Sequence, residues 1–326
     1  MSTTPPARAA LDVRALVEPV DRAAVRAVHR DARGDARATR AHPRPSVASR
    51  ALGVVLRTAL LAVLLAVAAA VVGAVLALIA VGLGATGVGV PAAVALVTAG
   101  TVVIGLLVAR GARRASARER EVTYRLGRFA AANGFAFEPR VDEPEQPSAA
   151  FDLGILRVAR NVVRTPGPRA VEVGTYSYSA GYRDAEPFAW TYATTTLDRP
   201  LPHLVVETLP GRGAPGARAP RGVDRTWELP VDGPSGDRHR AYGPVRSARE
   251  TARTVFTPGL VETLVAGRFP LAAEVTGDRL FLFSERPLDL LDPAVWERLL
   301  GTADEIAARL TDTAGPRRPA WSPDER

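Results

Sequence analysis

Cysteine and lysine are both absent from this chain, and all 42 basic residues are arginine. Without cysteine, neither a disulfide nor a thiolate metal site can form. The arginine-only usage goes with abundant alanine, glycine and proline and reads as a high-GC coding bias rather than a functional signature. Histidine is scarce. His29, His42, His203 and His239 are the only four, and none is paired at H-x-x-x-H spacing. There is no G-x-S-x-G nucleophile elbow and no paired-carboxylate motif. His203, Asp152 and Arg183 each stand alone in the pattern. His203 lies at the start of an expected strand, where a lone histidine more often makes a structural hydrogen bond than catalyses. The sequence therefore assigns no catalytic, cofactor-binding or metal-ligating residue, and no cofactor.

Charge is missing from another place. Between Thr58 and Ala109 there is no ionisable side chain. A helix crosses the roughly 30 Å hydrocarbon core with about 20 apolar residues. Two such runs, Thr58 to Val81 and Ala92 to Ala109, are separated by the glycine-rich turn Gly82 to Pro91. The pattern predicts a two-helix transmembrane hairpin. Gly82, Gly84 and Gly87 match G-x-G-x-x-G, but the apolar run before them is too long for a strand. The acidic residue a dinucleotide site needs about 20 residues on is also missing. A flexible turn explains these glycines better than a nucleotide site does.

The net charge is +8, and its distribution matters more than its sum. Residues 1–57 hold 11 Arg against 5 acidic residues; residues 110–120 hold 5 Arg against Glu119; residues 121–326 hold 26 Arg against 28 acidic residues. The excess flanks the apolar runs, and the rest lacks the basic footprint of a nucleic-acid binder. By the positive-inside rule both termini are expected in the cytoplasm. Arg50, Arg57, Arg110, Arg113 and Arg114 would meet the bilayer's anionic lipid head groups. The partners expected are the lipid bilayer and a protein partner of open identity, with no nucleic acid. The localisation expected is the inner membrane, multi-pass.

The N-terminal 50 residues read as a basic cytoplasmic tail, partly disordered or an amphipathic helix from Pro19 to Gly34. Residues 51–112 make the hairpin, 113–311 an α+β domain and 312–326 a disordered tail. Within the domain, a helix should run from Arg113 to Ala132 and stop at Asn133-Gly134. Phe135 to Phe137 should be a short strand. Arg169 to Ser179 and Phe188 to Leu197 alternate with period two, which predicts a long-looped antiparallel hairpin. Whether its aromatic residues Tyr176, Tyr178, Trp190 and Tyr192 face core or ligand stays open.

Leu204 to Leu209 and Thr226 to Leu229 read as further strands, with Gly211 to Gly222 as a mobile surface loop. A helix should span Pro258 to Ala266. Leu271 to Val275 and Leu280 to Ser284 flank Thr276-Gly-Asp-Arg279 as a second hairpin. Pro293 should open a helix whose apolar stripe is Val295, Leu299, Ala303, Ile306 and Leu310. The fold class expected is thus a membrane protein, a two-helix transmembrane hairpin followed by a soluble α+β domain with an antiparallel sheet.

Phe151-Asp-x-Gly154, Asn161-Val-Val-Arg164, Val173 to Tyr178, Leu201 to Val206 and Phe256 to Leu264 carry a resemblance. Over about residues 115–310 the chain resembles a group of uncharacterised actinobacterial membrane proteins. The resemblance implies a two-helix anchor with a cytoplasmic α+β domain and implies no catalytic residue. The function expected is a membrane-anchored cytoplasmic binding or scaffolding domain; the alternative is a membrane-anchored enzyme of unrecognised type.

Overall fold

The computed structural model describes residues 10–21, 23–25, 89–179, 188–210, 216–225, 227–229, 238–243, 258–265 and 268–312. The chain divides into two compact units, residues 1–19 with 122–326, and residues 20–121. A seven-stranded antiparallel sheet organises the first unit. Its strands are β1 (Ala136–Asp142), β2 (Ile155–Arg164), β3 (Val171–Ser179), β4 (Phe188–Thr208), β5 (Glu228–Leu229), β6 (His239–Tyr242) and β7 (Ala272–Phe283). They lie in the order β1-β2-β3-β4-β6-β5, with β7 also paired to β4. The helices are α1 (Arg14–Val17), α2 (Gly89–Ala132, in this unit from Val122 on), α3 (Pro258–Val265) and α4 (Pro293–Asp312).

β4 is the centre, and its length is the main surprise. Phe188–Leu197 and Leu204–Leu209 were expected as separate strands, yet one strand of 21 residues runs through both. Its first half pairs with β3, its last residues pair with β6, and β7 follows it along most of its length. The expected hairpin at Thr276 to Arg279 is not formed. Instead β7 is one strand of 12 residues. Gly277 takes a left-handed φ of 58° there, without the Cβ that would resist it. The β4–β7 register shifts between Thr196 and Leu204, where β4 contains Pro200 and Pro202. Proline cannot donate to the ladder, which confines it to irregular places.

This irregularity switches which face the side chains occupy. In β7, Ala273 and Val275 join one core cluster with Leu280 and Leu282, so odd residues face it before the bend and even residues after. β4 switches in step, Ala193 before and Leu204 and Val206 after. A side-chain period of two makes such a switch obligatory whenever pairing slips by one.

The helix-covered face holds an aliphatic core. Leu126 and Phe129 of α2 and Val295, Trp296, Leu299 and Ile306 of α4 pack on the sheet. All five residues expected in the α4 stripe are buried. Trp296 is fully enclosed, lies 4.7 Å from the Phe129 ring and donates from Nε1 to the Leu290 carbonyl at 2.8 Å. An N-terminal strap returns to this core. Leu16 is buried, and Arg125 donates to the carbonyls of Leu16 at 2.9 Å and Glu18 at 2.7 Å. Asn133 at the end of α2 both accepts from the Asp12 amide and donates to the Asp12 carbonyl.

No helix among the described residues is long and apolar enough to cross a membrane. The first expected span, Thr58 to Val81, lies outside the described residues, as do Arg50 and Arg57 and most of the helix expected from Pro19 to Gly34. The second, Ala92 to Ala109, is helical but opens a helix of 44 residues that continues directly through Arg110, Arg113 and Arg114. The two-helix transmembrane hairpin is therefore withdrawn as fold class, and the inner-membrane, multi-pass localisation goes with it. What stands is an α+β unit built on an antiparallel sheet. In the second unit, described by itself, the α2 residues Val102, Ile104, Leu106 and Leu107 are exposed, as are Arg110, Arg113 and Arg114.

Trp296 tests the helix-face core. Trp296→Ala should lower stability by about 3–5 kcal/mol, the range for removing an enclosed aromatic side chain, read from urea unfolding. A loss under about 1 kcal/mol would show that α4 does not clamp the sheet.

Candidate functional site

The opposite face of the sheet is aromatic. Alternation in β3 sends Tyr176 and Tyr178 to it, and the register places Tyr176 beside Trp190 and Tyr178 beside Phe188 across β4. Tyr192, Phe281 and Phe283 extend the cluster, and Phe151 closes over it from a short 3-10 turn, Ala149–Phe151. The aromatic side chains divide into two groups. Tyr176 and Tyr192 are fully buried, and both hydroxyls are bonded. Tyr176 donates to the Phe151 carbonyl at 2.9 Å and Tyr192 to Glu172 Oε1 at 2.7 Å. Gly174 makes room for Tyr192, because a Cβ there would sit 3.0 Å from its ring. These two are core.

Tyr178 and Trp190 lie at the outer end of the same face and border a cavity of about 670 Å³. Phe188 stacks on Tyr178 at 5.3 Å, and Tyr242 of β6 adds a further aromatic wall. Trp190 is 6% exposed and packs 5.0 Å from Tyr176, so core and cavity share a continuous stack. Its Nε1 is buried and has no hydrogen-bond partner among the described residues.

The remaining wall is the segment 216–225, whose residues up to Gly222 belong to the stretch expected to be a mobile loop; residues 211–215 lie outside the described residues. A buried carboxylate pins this wall. Glu207 of β4 accepts from the Ala219 amide at 3.0 Å and from Arg225 Nε at 2.8 Å. Arg225 in turn donates to the Ala219 carbonyl at 2.6 Å. The Ala217 amide donates to the Thr208 carbonyl at 2.9 Å, and the backbones approach so closely that a Cβ on Gly216 would fall 2.5 Å from that oxygen. Arg218 and Arg221 project from this wall and Arg240 from β6, all exposed on the cavity's rim. Arg221 lies over the Phe188 ring at 5.1 Å, a cation–π arrangement.

Two other polar clusters were candidates for chemistry. Glu274, 2% exposed, sits between Ser148 and His203. Ser148 Oγ donates to Oε2 at 2.6 Å, and His203 Nε2 is 3.0 Å from Oε1. The residue types are those of a hydrolase triad, but the order is wrong. A relay needs the imidazole between hydroxyl and carboxylate. Here the carboxylate is in the middle, so the histidine cannot take the serine's proton. The trio ties the turn before Phe151 to β4 and β7. The second cluster gathers at Glu172, which accepts from Gln146, Tyr192 and Arg164. Asp152 is exposed and lies 3.5 Å from Arg157; Arg183 is outside the described residues. No group of three metal-ligating side chains occurs among the described residues.

Fold and site together define a class: an α+β unit with an antiparallel sheet, helices on one face and an aromatic cavity with an arginine rim on the other. Among solved structures the chain is similar to the crystal structure of the mycobacterial trehalose monomycolate transport factor A, TtfA. The identity is 16% and the TM-score 0.43, over 61% of this chain and 99% of that chain. At that score the likeness carries no weight for the site's chemistry. No family model and no curated protein matches the chain.

Burial sets a pH dependence. It raises the phenols of Tyr176 and Tyr178 and holds Tyr192 well above its ordinary range, where the Glu172 carboxylate adds to the effect. In the unfolded chain these groups ionise near pH ~10. A folded-state pKa raised above the unfolded one means stability is intact below the unfolded value and lost as pH rises past it. Unfolding free energy should therefore fall between pH 9 and pH 11.5, and fall less in Tyr192→Phe. A flat profile would contradict the burial of these phenols.

Proposed function

We propose that the sheet unit is a binding module that takes a small ligand in the cavity at the outer end of its aromatic face, and that it acts by binding rather than by catalysis. The observation that carries this reading is the cavity itself. At about 670 Å³ it falls within the range of drug-sized ligand sites. Its floor is aromatic and its wall is pinned in place by Glu207, so it needs little rearrangement to receive a guest.

Two of the polar groups lining it favour binding over catalysis. Glu207 is committed to Arg225 and the Ala219 amide. Ser284 is committed as well: its hydroxyl donates to the Arg286 carbonyl at 2.6 Å and accepts from the Thr191 amide at 3.0 Å. A nucleophile or general base must be within reach of a substrate and free to exchange a proton. These two groups serve the fold instead. The expectation of a binding domain is kept on this ground, without the membrane anchor first attached to it.

Calorimetric titration of the full chain with a set of bicyclic aromatic fragments, anionic, neutral and cationic, tests the proposal. At least one fragment should bind with 1:1 stoichiometry, and Phe188→Ala should weaken it by about tenfold, the value of one aromatic contact. Circular dichroism should confirm that the variant is folded. No saturable binding by any fragment, or equal binding by Phe188→Ala, would contradict it.

A further inference from the structure

We infer that the ligand of this cavity is a small anion with a flat apolar body, an aryl carboxylate, sulfonate or phosphate in chemical class. The inference rests on the cavity being a binding site and adds the ligand's charge and shape.

Shape follows from the floor. Phe188 stacks on Tyr178 with centroids 5.3 Å apart, and Trp190 meets Tyr178 edge to face at 5.7 Å. Aromatic rings stack best on planar partners. Tyr242 of β6 also lines the cavity and adds aromatic surface for a flat body to meet.

Charge follows from what is spent and what is left. The lining includes four arginines and two glutamates. Arg225 and Glu207 neutralise each other at 2.6 Å. That leaves Arg218, Arg221 and Arg240 against Glu285. Of these three, Arg240 faces Glu228, but at 3.9 Å and with both side chains more than half exposed. Such a pair is weak and readily exchanged. Arg221 lies over the Phe188 ring at 5.1 Å and is exposed at the rim, where its guanidinium can meet an oxyanion. Guanidinium groups offer paired donors that match carboxylate and phosphate oxygens. Even with Glu285 and Glu228 both set against the three arginines, the mouth stays positive by one charge, beside an aromatic floor. Anionic head outward and ring inward satisfies both features; a neutral ring uses only one, and a cation is repelled.

The test is a calorimetric titration of the full chain with three probes of one shape, 2-naphthoate, 2-naphthalenemethanol and 2-naphthylmethylammonium. Naphthoate should bind about tenfold or more tightly than the alcohol, and the ammonium more weakly than either. Arg221→Gln should remove most of naphthoate's advantage and leave the alcohol's affinity unchanged. Raising salt from 0.05 to 0.5 M should weaken naphthoate alone, because exposed charges are screened. If the alcohol or the ammonium binds as well as naphthoate, and Phe188→Ala still weakens it, the anion assignment falls while the cavity remains the site. If none of the three binds, the cavity reading falls and the anion assignment with it.

Discussion

The pairing of β4 with β7 is the constraint on which the rest depends. Both strands are long, both are bent at the same level, and both exchange faces there. An unbent β4 would send Trp190 and Glu207 to opposite faces, since they are an odd number of positions apart. The slip between Thr196 and Leu204 brings them to the same one. One strand therefore supplies the cavity's floor with its first half and the anchor of its wall with its second. The face exchange must occur in both partners or the core would be interrupted, and Gly277 in β7 answers Pro200 and Pro202 in β4.

The two faces spend their burial differently. The helix side encloses aliphatic side chains and Trp296, and its polar demands are met locally, as by the Leu290 carbonyl. The other side buries charge. Glu207, Glu274 and Ser148 are all nearly inaccessible and all hydrogen-bonded. A buried carboxylate is costly unless paired, and each here holds a covering segment against the sheet. Glu274 holds the turn that presents Phe151; Glu207 holds the wall at residues 216–225. Removing either carboxylate would leave polar groups without partners, so the cover and the cavity stand on the same bonds.

Much of this was legible in the residues, and the failures have physical causes. Val171–Ser179 and Phe188 onward form the expected hairpin, because strict alternation with aromatic residues has no competing helical period. The Pro293 helix formed with its full stripe buried. β2 was missed: Leu156 and Asn161 take left-handed φ values of 58° and 53°, and the bulges they make break the alternation that would have marked it. The Thr276-Gly-Asp-Arg279 signal was read as a chain reversal and Phe188–Leu197 and Leu204–Leu209 as separate strands, yet each site is an irregularity inside one continuous strand. Local sequence cannot separate the two, because the deciding term is the register between partners about 80 residues apart. The long uncharged stretch was read as two spans from composition alone. The cavity was invisible for another reason: its floor looked like sheet core, and its wall like an unstructured glycine-rich loop. The bonds that join them, Glu207 with Arg225 and the Ala219 amide and Thr208 with Ala217, lie between residues 9 to 18 positions apart.

The central claim is that the two sheet faces have separate duties, one closed and one receiving a ligand. Labelling the protein with 5-fluorotryptophan and recording ¹⁹F spectra during titration with 2-naphthoate tests it most directly. Trp190 borders the cavity and Trp296 lies enclosed on the other face. Substituting each by Phe assigns its resonance. The account predicts that the Trp190 resonance shifts saturably while the Trp296 resonance stays in place. A shift confined to Trp296, or no shift in Trp190 at saturating naphthoate, would contradict it.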